Sequence, residues 1–473
     1  MGFIMDSTVR RLIQDMSASH NLPAQQQLTG QGTDHHLMRE LNRHLILNCV
    51  REAGPLARVQ IAQSTHLSRT TVSNIIDMLL QEGFVREGDL LDAAPAGGRR
   101  AMLVHFNADA GYVLGVDVGR THLAMLLTNL EARIVARRAG PFDMSHGPEV
   151  CLPQLIAELR AFVAAAGLSW SSIVGIGLGI PGPLDAQQHT LISPPGMPNW
   201  DNVNVWQAIQ HTFNIPLYLD NDANMGALSE SRCGTGAGSD YVVYVKVGTG
   251  IGAGLIFNNR IYRGHGGSAG ELGHITLDEN GPLCYCGNRG CLETLAGAHA
   301  IAEDARQGIS LAAAQQTDEA LSRPTLAEHA EVDITDVIQA AQNGDAASQA
   351  ALVRAGERLG VAIAGLINLF NPSHIIIGGG VTRAGELLLD PLRRAAASRC
   401  LPAAWQGTSI LPGQLNDTAV ALGAASLVID AAFGVSTVWA GQGENSPTPK
   451  QVPTFYRSRA LARDQTEPGS AAR

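Results

Sequence analysis

Two patterns of apolar and polar positions divide the chain. Between residues 37 and 86 apolar side chains recur at helical spacing, and from about 110 to 430 short apolar runs alternate with helical stretches. In the first region Leu37, Leu41, Leu45 and Cys49 predict a helix that ends near Gly54 and Pro55. A second helix is expected from Arg58 to Ser64, with Ile61 and Ala62 facing inward, and it breaks at Thr65, His66 and Leu67. Ser68 is placed to cap a third helix by accepting from a free N–H of its first turn. In that helix Val72, Ile75, Ile76 and Leu79 form one apolar stripe, and Gly83 supplies a left-handed stop.

The polar face of the third helix carries Arg69, Thr70, Thr71, Ser73 and Asn74. Short donors and an arginine at a helix start suit the base edges of a major groove. Beyond the helix, Phe84 to Arg86 and Met102 to Val104 are expected to pair as two strands around a Pro/Gly-rich loop with Arg99 and Arg100, a wing that would meet phosphates. A winged helix-turn-helix follows from this spacing; a helical protein-interaction domain would use the same core.

In the long second region VDVGRTHLAMLLTNLEARIV (116–135) aligns with VKVGTGIGAGLIFNNRIYRG (245–264), which sets Gly119 beside Gly248. Each copy reads as strand, glycine turn, strand, short turn, strand, so the domain is expected to be a duplicated α/β unit. The resulting organisation is an irregular segment over 1–35, a winged helix-turn-helix domain over 36–106, a duplicated α/β domain over 110–430 and an irregular tail over 440–473.

Composition narrows the picture. Hydrophobic residues make up 45% and charged residues 16% of the 473, which excludes disorder over most of the length. The formal charge of −10 means that nucleic-acid binding has to rest on a local basic surface. No uninterrupted apolar run reaches 18 residues and the start lacks a signal-peptide pattern, so a cytoplasmic protein without membrane insertion is expected. Of seven cysteines three, Cys284, Cys286 and Cys291, fall within eight positions. With His274 they offer one imidazole and three thiolates, the soft tetrahedral set that zinc prefers, and four protein ligands leave no open position, so the zinc is read as structural.

Glu271, His274, the cysteine run and Glu293, preceded by Asn221, Asp222 and the Gly248–Gly252 loop, resemble the ROK family of repressors and sugar kinases. The resemblance covers about 110–430 and implies a duplicated actin-like (ribonuclease-H-like) fold whose two lobes close on a sugar. It places Asn221, Asp222, Glu271, His274 and Glu293 on sugar hydroxyls, with Gly182 and Gly250 close by, and gives His274 one ring nitrogen for zinc and the other for the sugar. In the kinases of the family the residue at Asp222 takes the proton of the attacking hydroxyl, and Asp117, Gly119, Thr121, Gly248, Thr249 and Gly379 would face ATP and magnesium. The first loop departs from the kinase pattern: Arg120 stands where a second glycine is usual and His122 where lysine or asparagine is common. Arginine there either blocks backbone approach to a phosphate or lends it a charge. The expected protein is a sugar-responsive repressor that binds operator DNA as a homodimer or homotetramer; the alternative is an ATP-dependent kinase of a hexose or N-acetylated amino sugar. Trp200 is expected in the core.

Overall fold

The computed structural model describes residues 35–90, 101–185, 190–192, 197–315 and 332–433. Its first part holds α1 (His35–Ala53), β1 (Leu56–Ala57), α2 (Arg58–Thr65), α3 (Arg69–Gln81), β2 (Val85–Leu90) and β3 (Met102–Phe106), with the strands in an antiparallel sheet of order β1-β3-β2. Ser68 sits in extended backbone and its Oγ accepts from the Thr71 N–H at 3.0 Å, so the predicted cap forms. His66 takes the left-handed conformation that turns α2 toward α3. Val72, Ile75, Ile76 and Leu79 all face the core.

The stripe expected on α1 is displaced. Leu41 and Leu45 are each 45% exposed, while Ile46, Leu47 and Val50 point inward. Both faces of α1 are apolar, so periodicity alone does not choose between them; packing on α2 and α3 does. Arg43 is buried on the inner side and pairs with Glu82 at the end of α3.

The second part starts with β4 (Tyr112–Val118), β5 (His122–Asn129) and β6 (Ile134–Pro141), followed by α4 (Pro148–Ala165), β7 (Ile173–Ile180), the small ribbon β8 (Leu184–Asp185) and β9 (Thr190–Leu191), α5 (Val205–Phe213) and β10 (Leu217–Asn221). After α6 (Asp222–Cys233) come β11 (Tyr241–Val247), β12 (Ile251–Phe257), β13 (Arg260–Ile261), α7 (Leu292–Ala296), α8 (Ala298–Gln315), α9 (Ile334–Gln342), α10 (Ala346–Phe370), β14 (His374–Gly378), α11 (Glu386–Ala397), α12 (Pro402–Gln406), β15 (Ser409–Pro412) and α13 (Ala419–Phe433).

The two large sheets have orders β6-β5-β4-β7-β10 and β13-β12-β11-β14-β15. In each, an antiparallel hairpin leads into parallel partners, β4 with β7 and β11 with β14. The duplication read from the two hairpins is therefore carried through the whole sheet. Helices α4 and α5 cover the outer face of the first sheet, and α8, α10 and α11 that of the second. With both faces covered, β7 is buried at every position and can be apolar throughout.

Between the sheets run α6 and α13. A Cβ at Gly115 would lie 2.0 Å from the Ala421 carbonyl oxygen, and one at Gly177, its neighbour across the ladder, 2.0 Å from that of Ala424. The same intimacy joins the two helices, where a Cβ at Gly423 would meet the Met225 carbonyl oxygen at 1.8 Å. Arg232 and Asp430, both buried, add an ion pair of 3.1 Å across that contact. The window Asn416–Phe433 is long and apolar enough to cross a membrane, yet 72% of it is buried in the interior.

The C-terminal end of α13 enters the core of the three-helix module. The Phe433 ring meets Phe106 edge-on at 5.9 Å, the Arg51 guanidinium lies 4.8 Å over its centre, and the Phe433 carbonyl accepts from Asn48 Nδ2 at 2.5 Å. His44 Nε2 lies 3.1 Å from the same oxygen. Side chains of α1 thus satisfy a helix end that would otherwise leave its carbonyls bare.

Gly177→Ala is expected to force α13 off the first sheet and to lower unfolding free energy by about 1–3 kcal/mol, the usual cost of overpacking. Urea denaturation measures it; an unchanged midpoint would show that the close contact is not rigid.

Candidate functional site

A cavity of about 440 Å³ opens between the lobes. The turn after β4 brings Asp117, Gly119, Arg120 and His122 to it, and the junction of β10 with α6 brings Asn221 and Asp222. From the second lobe come Lys246 and Gly248 to Gly250, then Glu271, His274, Tyr285 and Glu293. All seven residues expected around a sugar, Gly182, Asn221, Asp222, Gly250, Glu271, His274 and Glu293, line this one space. Of the six expected at a nucleotide, Asp117, Gly119, Gly248, Thr249 and Gly379 line it and Thr121 does not. Thr121 is exposed, and its carbonyl is taken by the Phe142 N–H at 3.2 Å.

Asn221 caps α6. Its amide oxygen accepts from the N–H groups of Ala223 and Asn224 at 2.8 and 3.3 Å, and its nitrogen donates to the Gly182 carbonyl at 3.1 Å. One N–H of the amide remains for a ligand. Asp222 follows in the first turn, where the helix dipole favours a carboxylate. Its Oδ2 accepts from Lys246 Nζ at 2.7 Å. Burial would lower the pKa of Lys246, but Asp222 and Asp117 outweigh it and hold the ammonium charged well above the ordinary lysine range. Asp117 is only 4% exposed; burial opposes its charge, yet Lys246 and the His122 imidazole, 3.2 Å away, keep it below the usual carboxylate range.

Glu293 is buried in the first turn of α7, where its Oε2 accepts from the Ile251 N–H at 2.8 Å and its Oε1 from the Tyr285 hydroxyl. The Arg120 guanidinium approaches the same Oε1 at 3.6 Å. Burial, followed by the nearby Asp222 and Glu293 carboxylates, pushes Glu271 up to about 7, so near neutrality this acid both donates and accepts hydrogen bonds.

Beside the cavity, ligand atoms of His274, Cys284, Cys286 and Cys291 all lie within 4.8 Å of one another, a group able to hold a metal ion. Cys286 Sγ is 3.6 Å from Cys291 Sγ, and Cys284 Sγ is 3.7 Å from His274 Nδ1. His274 Nε2 points the other way, 3.9 Å from Glu271. The two ring nitrogens therefore face the thiols and the cleft respectively. A Cβ at Gly290, whose φ is +57°, would stand 1.7 Å from the Asp278 carbonyl oxygen, so the turn between the last two cysteines requires glycine. Burial, with smaller contributions from neighbouring thiols, raises the Cys291 thiol to about 12. Only a cation would keep such a sulfur ionised at neutral pH.

On α3, Arg69, Thr70 and Asn74 are exposed, and Thr71 and Ser73 are half-buried. Thr71 is partly occupied by its 2.8 Å bond to Ser68. Arg99 and Arg100 lie outside the described residues. Trp200 is in the core as expected, 2% exposed and donating from Nε1 to the Met144 carbonyl at 2.9 Å.

Two charged or polar cleft residues escaped sequence reading, Lys246 and Tyr285, and so did the pairing of Arg120 with Glu293. A signal existed for the first, since Lys246 is the one charge in the apolar strand YVVYVKV. Tyr285 sits inside the cysteine run, where attention to sulfur hides it.

The ROK family model matches residues 113–431, and the MarR family model matches 40–87. A xylose repressor of Caldicellulosiruptor bescii is 32% identical over 400 residues, which span 84% of this chain and 97% of that protein. A glucokinase of Thermotoga maritima is 32% identical over 316 residues, 67% of this chain and 96% of the enzyme. Among solved structures, a ROK family transcriptional regulator homologous to the Escherichia coli MLC protein superposes with a TM-score of 0.69 at 26% identity, covering 84% of this chain and 97% of its own. The duplicated lobes, the shared cleft and the adjacent thiol cluster thus come with a family model that spans most of the chain, and the protein belongs to the ROK family.

Proposed function

We propose that the chain is a sugar-responsive transcriptional repressor, in which carbohydrate held in the cleft alters operator binding by the three-helix module. The observation that carries this reading is α13. Val420 at its start lines the cavity, and Phe433 at its end is bonded by α1 of the DNA-binding module. Packed between the first sheet and α6, it has little room to deform, so a change of lobe angle reaches α1 as a displacement. The coverage of the relatives favours the same reading: the xylose repressor is matched through both modules, whereas 67% of this chain accounts for nearly all of the glucokinase.

In this reading Asp222, Glu271, His274 and Glu293 hold sugar hydroxyls, with Asn221 giving one N–H and Gly182 and Gly250 letting the ring approach. Arg69, Thr70 and Asn74 meet base edges, Thr71 and Ser73 line the same helix, and Arg99 and Arg100 supply positive charge for phosphates. Two copies on two half-sites, working in the cytoplasm, fit a helix-turn-helix protein.

The metal is zinc. Zinc–sulfur bonds of about 2.3 Å and zinc–nitrogen bonds of about 2.0 Å give tetrahedral S···S edges of ~3.8 Å and S···N edges of ~3.5 Å, and the 3.6 Å between Cys286 and Cys291 and the 3.7 Å between Cys284 and His274 are close to these. When bound, the ion supplies a fixed positive anchor, and His274 is then held with Nε2 toward the cleft.

Gel shifts with the DNA upstream of the gene, at low and physiological salt and with D-xylose, D-glucose or N-acetylglucosamine, test the function. Binding that one of these sugars weakens is expected; no binding at low salt would remove the repressor reading. Arg69→Ala and Asn74→Ala are each expected to cost about 1–3 kcal/mol of operator affinity. Asn48→Ala should leave sugar binding intact, read by thermal shift, while reducing sugar-driven release of DNA. Elemental analysis should find one zinc per chain, lost in Cys284→Ser together with the sugar-induced thermal shift; a full zinc complement in that variant would refute the ligand assignment.

A further inference from the structure

A phosphoryl-transfer site needs free carboxylates to hold a divalent cation and free loop amides to meet phosphate oxygens. Here the corresponding places are taken by side chains of the protein. Lys246 Nζ, 2.7 Å from Asp222 Oδ2, carries the charge that also acts most favourably on Asp117. Asp117 is buried, its Oδ2 faces His122 at 3.2 Å, and its Oδ1 has no hydrogen-bond partner. Asp222 thus holds the ammonium directly, while Asp117 is paired with His122 and feels the Lys246 charge through space.

The loops are obstructed as well. The His122 imidazole lies over the first turn so closely that a Cβ at Gly119 would stand 2.1 Å from it. Arg120 crosses to the second loop, where its Nη2 would be 2.9 Å from a Cβ at Gly250, and it pairs there with Glu293. Arg120 and Lys246 each already face a carboxylate, and two cations against three acids leave the set negative. No cation remains uncommitted in this set for a phosphate.

We propose that Lys246, bonded to Asp222 inside the cleft, is a resident counter-ion that supplies the positive charge a divalent cation would otherwise bring, so that the cleft takes an uncharged carbohydrate alone and rejects magnesium nucleotides. Magnesium and ATP, which kinases of the family use, do not fit the residues present. The inference rests on the sugar-sensing reading and adds the determinant that separates sensing from phosphorylation: an immobile ammonium neutralises the aspartates without bringing a nucleotide with it.

The test uses the full chain and a fluorescent ADP analogue titrated with and without magnesium, alongside thermal shifts with D-xylose, D-glucose and N-acetylglucosamine. Wild type is expected to show no magnesium-dependent nucleotide binding. Lys246→Ala is expected to gain it by at least about tenfold in affinity, and Asp117→Asn on that background to remove the gain. Magnesium-dependent binding by wild type, or a folded Lys246→Ala with no gain, overturns the proposal. Should Lys246→Ala fail to fold, Lys246→Met, which keeps most of the stem but drops the charge, decides by the same criterion. A wild type stabilised by none of the sugars would remove the sugar reading, while the nucleotide titrations still judge Lys246.

Discussion

The crossing of α6 and α13 is the constraint on which the rest of the molecule depends. Each helix lies against one sheet, and where they meet, Gly423 admits the Met225 carbonyl at a distance no side chain permits. Backbone touching backbone has few alternative arrangements, because sliding by one residue would bring a Cβ into the contact. The lobes are thereby keyed to each other at a single depth. The cleft opens at one end of this pair, with Asp222 starting α6 and Val420 near the start of α13, so its geometry follows from the crossing.

The charged groups of the cleft obey the same economy. Every acid in it is either paired, as Asp222 and Glu293 are, or pushed toward neutrality, as Glu271 is. In a site of this kind most carboxylates are committed before a ligand enters, and fixed donors and acceptors stand ready to replace water around a polar ligand. The thiol cluster stands just outside, where His274 separates the sulfur-facing nitrogen from the cleft-facing one.

Much of this was legible in the chain itself, for reasons that differ from element to element. The cap at Ser68, the stripe Val72, Ile75, Ile76, Leu79 and the turn at His66 depend on neighbours a few residues away, and local chemistry determines them. The paired hairpins were readable because each copy keeps its own glycine turn, at Gly119 and Gly248. The inward face of α1 was not, since Leu41 and Leu45 are as apolar as Ile46 and Leu47 and only α2, α3 and Phe433 select between them. Arg120 was legible as a departure but not as a partner of Glu293, which lies 173 positions further along. Thr121, expected at the cleft, is exposed instead, while its neighbours Arg120 and His122 line the cavity.

The bond between Asn48 and the end of α13 has a consequence for how such a protein can change over generations. Its acceptor is a main-chain oxygen, present whatever amino acid stands at position 433. Substitutions along α13 can alter its packing, yet none of them deletes the atom that α1 holds. Inheritable control over that bond therefore resides in α1, so a lineage can retune how firmly the first module grips α13 without disturbing either lobe.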